Sequence, residues 1–174
     1  LNIIGVLFIP KNIATPVKPQ WLTNMDKVFM KIKNFYEKQF ESNIEITYQV
    51  INEPIKGDQN IADYYPWDLA KEIEDKNKNL LKPGFHNVWM IYLVRDSEFK
   101  LNVKGDGLGG LANLNAATQY EFWLDDDAVN SNTYGIRGSA HEFGHAIGIP
   151  HPWDLPINVN KDQVIVKFSK CIKE

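Results

Sequence analysis

Short, continuously apolar runs alternate along this chain with longer stretches in which apolar residues recur at three- and four-residue intervals. Residues 3–9, Ile-Ile-Gly-Val-Leu-Phe-Ile, are closed by Pro10 and read as a strand buried on both faces. Trp21, Leu22, Met25, Val28, Phe29, Ile32, Phe35 and Tyr36 then follow helical spacing with lysines between them. That pattern predicts an amphipathic helix of about six turns whose aromatics and methionines belong to the core. Ile44, Ile46, Tyr48 and Val50 alternate with Glu45, Thr47 and Gln49, as in a strand with one wet face. After a loop with Gly57, residues 60–82 carry a second helical pattern through Ile61, Trp67, Leu69, Ala70, Ile73 and Leu80. Pro83-Gly84 stops it, and Val88 to Val94 supplies another apolar strand.

Strand, helix, strand, helix, strand is the order of a mostly parallel sheet with helices packed against it. The expected fold class is therefore α/β: a twisted, mostly parallel sheet with two packing helices, a further helix further on and a short C-terminal segment. Downstream, Gly-Asp-Gly-Leu-Gly-Gly at 105–110 lacks the Lys-Ser/Thr ending of a phosphate loop and opens no helix, so it reads as a sharp backbone turn. Tyr120 to Leu124 reads as a short aromatic strand. Asp125, Asp126 and Asp127 read as a solvated turn, with a Ca²⁺ site shared with Asp106 as the weaker alternative. Ser131, Asn132 or Thr133 can cap the next helix, whose buried face would be Ile136, Ala140, Phe143 and Ile147.

A length of 174 residues fits one domain with a single core. With 44% hydrophobic and 24% charged residues the composition is that of a soluble globular protein, and a net charge of -3 offers no basic footprint for nucleic acid. No run is long and apolar enough to span a membrane. The lone cysteine, Cys171, excludes an internal disulfide. The chain opens on Leu1 rather than Met and has no basic-then-apolar leader, so it reads as a mature or trimmed segment.

The densest chemistry lies between His141 and His151, which reads His-Glu-Phe-Gly-His-Ala-Ile-Gly-Ile-Pro-His. Histidines at i and i+4 share one helix face, so His141 and His145 can converge on one Zn²⁺ while Glu142 points beside the metal, placed to act as a base. Gly148 can take the left-handed conformation that ends a helix, and the turn delivers His151 on an extended segment flanked by Pro150 and Pro152. Three imidazoles leave a fourth position for water, as catalytic zinc requires. His86, the remaining histidine, reads as a surface loop residue.

The set His141, Glu142, His145, Gly148 and His151 resembles the extended zinc signature of the metzincin metallopeptidases. Its wording is similar to the matrixin branch, while Pro152 after the third histidine is similar to serralysins. The resemblance implies a single zincin-like domain over 1–174, with residues 1–150 as an upper part and 151–174 as a short lower one. It implies a zinc-dependent endopeptidase with Zn²⁺ on His141, His145 and His151 and with Glu142 as general base. It further implies a secreted protein and a peptide substrate bound extended along the cleft, beside an edge strand entered at Leu111-Ala112-Asn113-Leu114.

Metzincins place a methionine-bearing turn beneath the metal after the third histidine, whereas Met25, Met30 and Met90 all lie upstream. Three accounts compete: a turn built from another residue near Cys171-Ile172-Lys173, a sequence that stops before the turn, or a loop missing near Asp154 and Leu155. The last best suits Asn160 to Ser169, which reads as a helix or strand following such a turn. A catalytically impaired domain that binds zinc and an extended peptide is the alternative function, and Asp154 is the alternative third ligand.

Overall fold

The computed structural model describes residues 1–41, 44–96, 109–111, 115–130 and 135–151, with the side chains of Pro66 and 109–111 excepted. The first apolar run forms β1 (Asn2–Ile9), and every residue in it is buried. It pairs in parallel with β2 (Thr47–Val50) on one side and with β4 (Asn87–Leu93) on the other, while β3 (Ile55–Lys56) adds at Phe8 and Ile9. β6 (Ala116–Tyr120) runs parallel to β4, and β5 (Gly109–Leu111) closes the sheet antiparallel to β6. The six-stranded sheet has the order β2-β1-β4-β6-β5, with β3 beside β1. It is the mostly parallel α/β arrangement that the alternating pattern predicts.

Helices cover both faces of the sheet. α1 (Pro19–Gln39) starts with a proline in its first turn, where the fixed φ suits a helix and no hydrogen bond is lost. It buries Trp21, Met25, Val28, Phe29, Ile32 and Tyr36. Its approach to β1 is so close that a Cβ on Gly5 would stand 2.2 Å from Phe29 Cε2. Phe8 lies an odd number of positions along β1, hence on the opposite face, and meets Tyr64 edge-on at 5.3 Å. α2 (Pro66–Lys76) follows Tyr64 and buries Leu69, Ala70 and Ile73. Among the described residues no helix is long and apolar enough to cross a membrane.

Four sequence expectations shift. The helical pattern over 60–82 breaks into a 3-10 turn at Ile61–Asp63, α2, and a 3-10 turn at Lys78–Leu80. Pro66 is the reason, since its ring bars the preceding residue from helical geometry and Tyr65 is extended at ψ 154°. Trp67 is accordingly exposed, as is Met30 on the outer side of α1. The strand expected over 44–50 pairs only from Thr47, because the Ile46 N–H is taken by Glu37 Oε1 of α1 at 2.9 Å.

The fourth shift matters most for the site. Tyr120 to Leu124 is not a strand: the sheet takes Ala116–Tyr120, and Glu121–Leu124 curls into a 3-10 turn closed by Asp125 N–H on the Phe122 carbonyl at 3.1 Å. The turn is drawn toward α1. Asn24 Nδ2 donates to the Leu124 carbonyl at 2.8 Å and to Asp126 Oδ1 at 2.7 Å, and Asp125 Oδ1 accepts from Trp21 Nε1 at 2.8 Å and Lys18 Nζ at 2.9 Å. The acidic run thus ties the start of α1 to the short α3 (Asp126–Asn130), which leads toward α4 (Gly135–Ala146). The capping candidates Ser131, Asn132 and Thr133 lie outside the described residues, as do Asp106, Ala112 to Leu114, Pro152, Asp154, Leu155, Asn160 to Ser169 and Cys171 to Lys173.

Candidate metal centre

α4 forms from Gly135–Ala146 because its apolar residues fall on one face. Ala140, Phe143 and Ala146 are buried, and Ile136 and Ile147 pack at the margin of the core. His141, Glu142 and His145 are therefore left at the half-buried border of the helix. Beyond Ala146 the chain closes in a Schellman turn: Gly148 N–H bonds the His145 carbonyl and Ile149 N–H bonds the Gly144 carbonyl, both at 2.9 Å. Gly148 has φ +89°, the left-handed geometry that the sequence pattern requires of it.

This turn sets the chemistry of His145 twice. It returns the Ile149 carbonyl to within 2.7 Å of His145 Nδ1. A carbonyl only accepts, so Nδ1 carries a proton, and in the neutral ring the lone pair then lies on Nε2. It also carries His151 to the same place: His145 Nε2 lies 3.0 Å from His141 Nε2 and 2.9 Å from His151 Nε2. Nitrogens bound tetrahedrally to one zinc at ~2.0–2.1 Å would stand about 3.3 Å apart, within a few tenths of an ångström of this spacing.

The electrostatics favour an uncharged ring at His141. Burial pushes His141 down to about 4, and the neighbouring His145 and His151 push in the same direction. At neutral pH it is an imidazole with a lone pair to give. Three convergent imidazoles, one held in the ligand tautomer by a backbone carbonyl, fit a divalent transition metal.

Among the described residues, His141, His145 and His151 are the one group of three or more side chains able to share a metal ion. Glu142 stands outside the group, next to it on α4. Among the described residues Asp125 and Asp126 belong to no such group; their carboxylates accept from Trp21 and Asn24 of α1, so the acidic run is more than a solvated turn. His86 is exposed and apart from the cluster.

Two residues that the sequence does not point to hold α4 in place. Tyr36 of α1 donates its hydroxyl to the Ala140 carbonyl at 2.9 Å, and the Tyr92 hydroxyl of β4 stands 3.0 Å from Ser139 Oγ, both pairs buried. Helical spacing marks Tyr36 as core and an apolar run marks Tyr92 likewise; neither pattern reveals where a phenol oxygen points. No protein-family model, no curated protein and no solved structure matches the chain.

Proposed function

We propose that this chain is a zinc-dependent endopeptidase of the metzincin type. The observation that carries the reading is the convergence of His141, His145 and His151 on one point, with the His145 lone pair aimed there by the Ile149 carbonyl. Those three residues would hold Zn²⁺, which when bound supplies a Lewis acid for the scissile carbonyl and lowers the pKa of its water to about 7.

The chain's own residues do the rest. Glu142, one position along α4 from the first ligand, accepts the proton of the attacking water and passes it to the leaving amine nitrogen, a task worth about 10²–10⁴-fold for a positioned acid-base group. Among the described residues β5 pairs only with β6, at the end of the sheet. An extended peptide adding along that edge would run beside α4, which also supports a peptide as substrate.

Elemental analysis combined with casein cleavage, with and without a chelator, tests the reading. The expected result is about one zinc per chain and cleavage that the chelator abolishes. In Glu142→Ala the zinc should stay and the cleavage should go. Zinc without cleavage in the unaltered chain would replace the peptidase with a zinc-dependent peptide-binding module, and a folded chain without zinc would overturn both.

A further inference from the structure

A tight contact in the scaffold behind the histidines lies between α1 and α4. A Cβ on Gly144 would stand 2.6 Å from the Tyr36 hydroxyl oxygen, closer than a real side chain tolerates. The next nearest atoms, Ile149 Cδ1 and Tyr36 Cζ, are both 3.8 Å away, an ordinary van der Waals distance. The missing side chain at Gly144 is therefore a notch filled by a single oxygen atom. That oxygen donates to the carbonyl of Ala140, the residue preceding the first ligand.

The phenol cannot swing aside. Its ring is buried, meets Phe35 edge-on at 4.8 Å and Phe143 at 5.0 Å, and stacks on Phe40 at 6.0 Å. On the neighbouring residue Tyr92 meets Ser139, so two hydroxyls grip consecutive residues of α4 from α1 and from the sheet. Ala140 and Gly144, the two residues that the Tyr36 oxygen touches, directly precede His141 and His145, and the Gly144 carbonyl accepts the Ile149 N–H of the turn that leads to His151. A change of backbone shape over 140–144 would therefore alter both the spacing of His141 and His145 and the start of the turn that brings His151 to them.

We propose that the Tyr36 hydroxyl, seated in the Gly144 notch, is a positioning group of the metal centre that fixes the backbone of α4 from Ala140 to Gly144, the stretch that sets His141 and His145 and starts the turn to His151. The proposal rests on the reading of the three histidines as a metal site, though not on catalysis.

The test is cobalt(II) binding to the full chain, read from its visible absorption and from competition with a chromophoric chelator, for Tyr36→Phe, Gly144→Ala and the double variant. Gly144→Ala should weaken cobalt binding by about 10–100-fold, the range for groups that orient metal ligands, and should shift the visible band. Tyr36→Phe, which loses one hydrogen bond and leaves an empty notch, should weaken it by about 5-fold. In the double variant the alanine methyl occupies the vacated space, so binding should match Tyr36→Phe within about 2-fold, well short of the sum expected of independent changes.

A merely structural tyrosine would change melting temperature without changing the cobalt spectrum of the folded protein, and that result overturns the proposal. So does a double variant in which the two losses add, or a Gly144→Ala variant that binds like the unaltered chain. A folded, unaltered chain that takes up no cobalt overturns the metal reading itself, whereas normal uptake with additive variants overturns only the role of Tyr36.

Discussion

Gly148 offers a clean perturbation of the centre, because a side chain placed there touches nothing. Its φ is +89° and an added Cβ has no neighbour within 4 Å, so Gly148→Ala acts through backbone strain alone. A left-handed alanine costs about 1–2 kcal/mol. Against that stand three hydrogen bonds that the turn makes: Gly148 to His145, Ile149 to Gly144, and His145 Nδ1 to Ile149. At about 0.5–1.5 kcal/mol each they total roughly 3 kcal/mol, more than the strain. The turn should therefore hold and the cost should appear in global stability, as a melting temperature lower by about 2–8 °C. Cobalt affinity should stay within about 5-fold of the unaltered chain, because the strain is present with and without the metal.

Gly84 supplies the control: φ is +79°, again with nothing near an added Cβ, and it lies on the loop before β4. Gly84→Ala should lower the melting temperature by a similar amount. Gly148→Val, with a branched side chain that left-handed backbone scarcely admits, should exceed what the three hydrogen bonds can hold; the turn opens, His151 leaves and cobalt binding collapses. Thermal unfolding and chelator competition on the four proteins decide it. Gly148→Ala that loses cobalt while keeping full stability would refute the balance of energies, and Gly148→Val that binds cobalt normally would show that the left-handed turn does not deliver His151.

Three further outcomes are expected. Burial pushes the Glu121 carboxyl up to about 7 from its ordinary 4.5, with Arg95 Nε 3.6 Å away only partly opposing it; between those values the unfolded chain gives up its proton first. Its contribution to stability is thus fully present below pH 4.5 and lost as pH rises through 7. Urea titrations should show Glu121→Gln with a flatter decline over that window, and an unchanged slope would count against it. Asn24→Ala leaves the Leu124 carbonyl and Asp126 without their donor and should cost about 1–3 kcal/mol in urea unfolding; a loss below about 0.5 kcal/mol, the level of an ordinary surface change, contradicts this. Gly5→Ala drives a methyl into Phe29 and Met25 and should cost at least about 3 kcal/mol, or prevent folding, whereas normal stability by thermal melting would mean α1 packs otherwise.

The parts of the molecule that were legible share one property, that local pattern and burial say the same thing. β1 and β4 are continuously apolar and buried at the sheet centre, and α1 keeps its helical spacing from Trp21 to Tyr36. The three histidines were legible because covalent spacing nearly forces their meeting once a helix and a left-handed turn are granted. β6 was not, since Ala-Ala-Thr-Gln-Tyr advertises no strand; small side chains are used there because β6 lies between β4 and β5 with α4 against it. The aromatics of 120–124 mark the 3-10 turn that follows the strand rather than the strand itself. Tyr36 and Tyr92 act on α4 across 104 and 47 residues of sequence, a distance over which no periodicity carries information.

The Schellman turn gathers all three histidines into one local segment, with neighbouring rings four and six residues apart. A metal bound there closes only short loops, and the chain entropy removed by closing a loop grows with its length. The ion would therefore act as a local clasp on the end of α4, joining no strand of the sheet to another. An α/β scaffold with its own core can lose such a clasp and remain folded. Substitutions at the histidines are then free to accumulate without a cost in folding, so in this architecture the persistence of the ligands would report selection on chemistry rather than on stability.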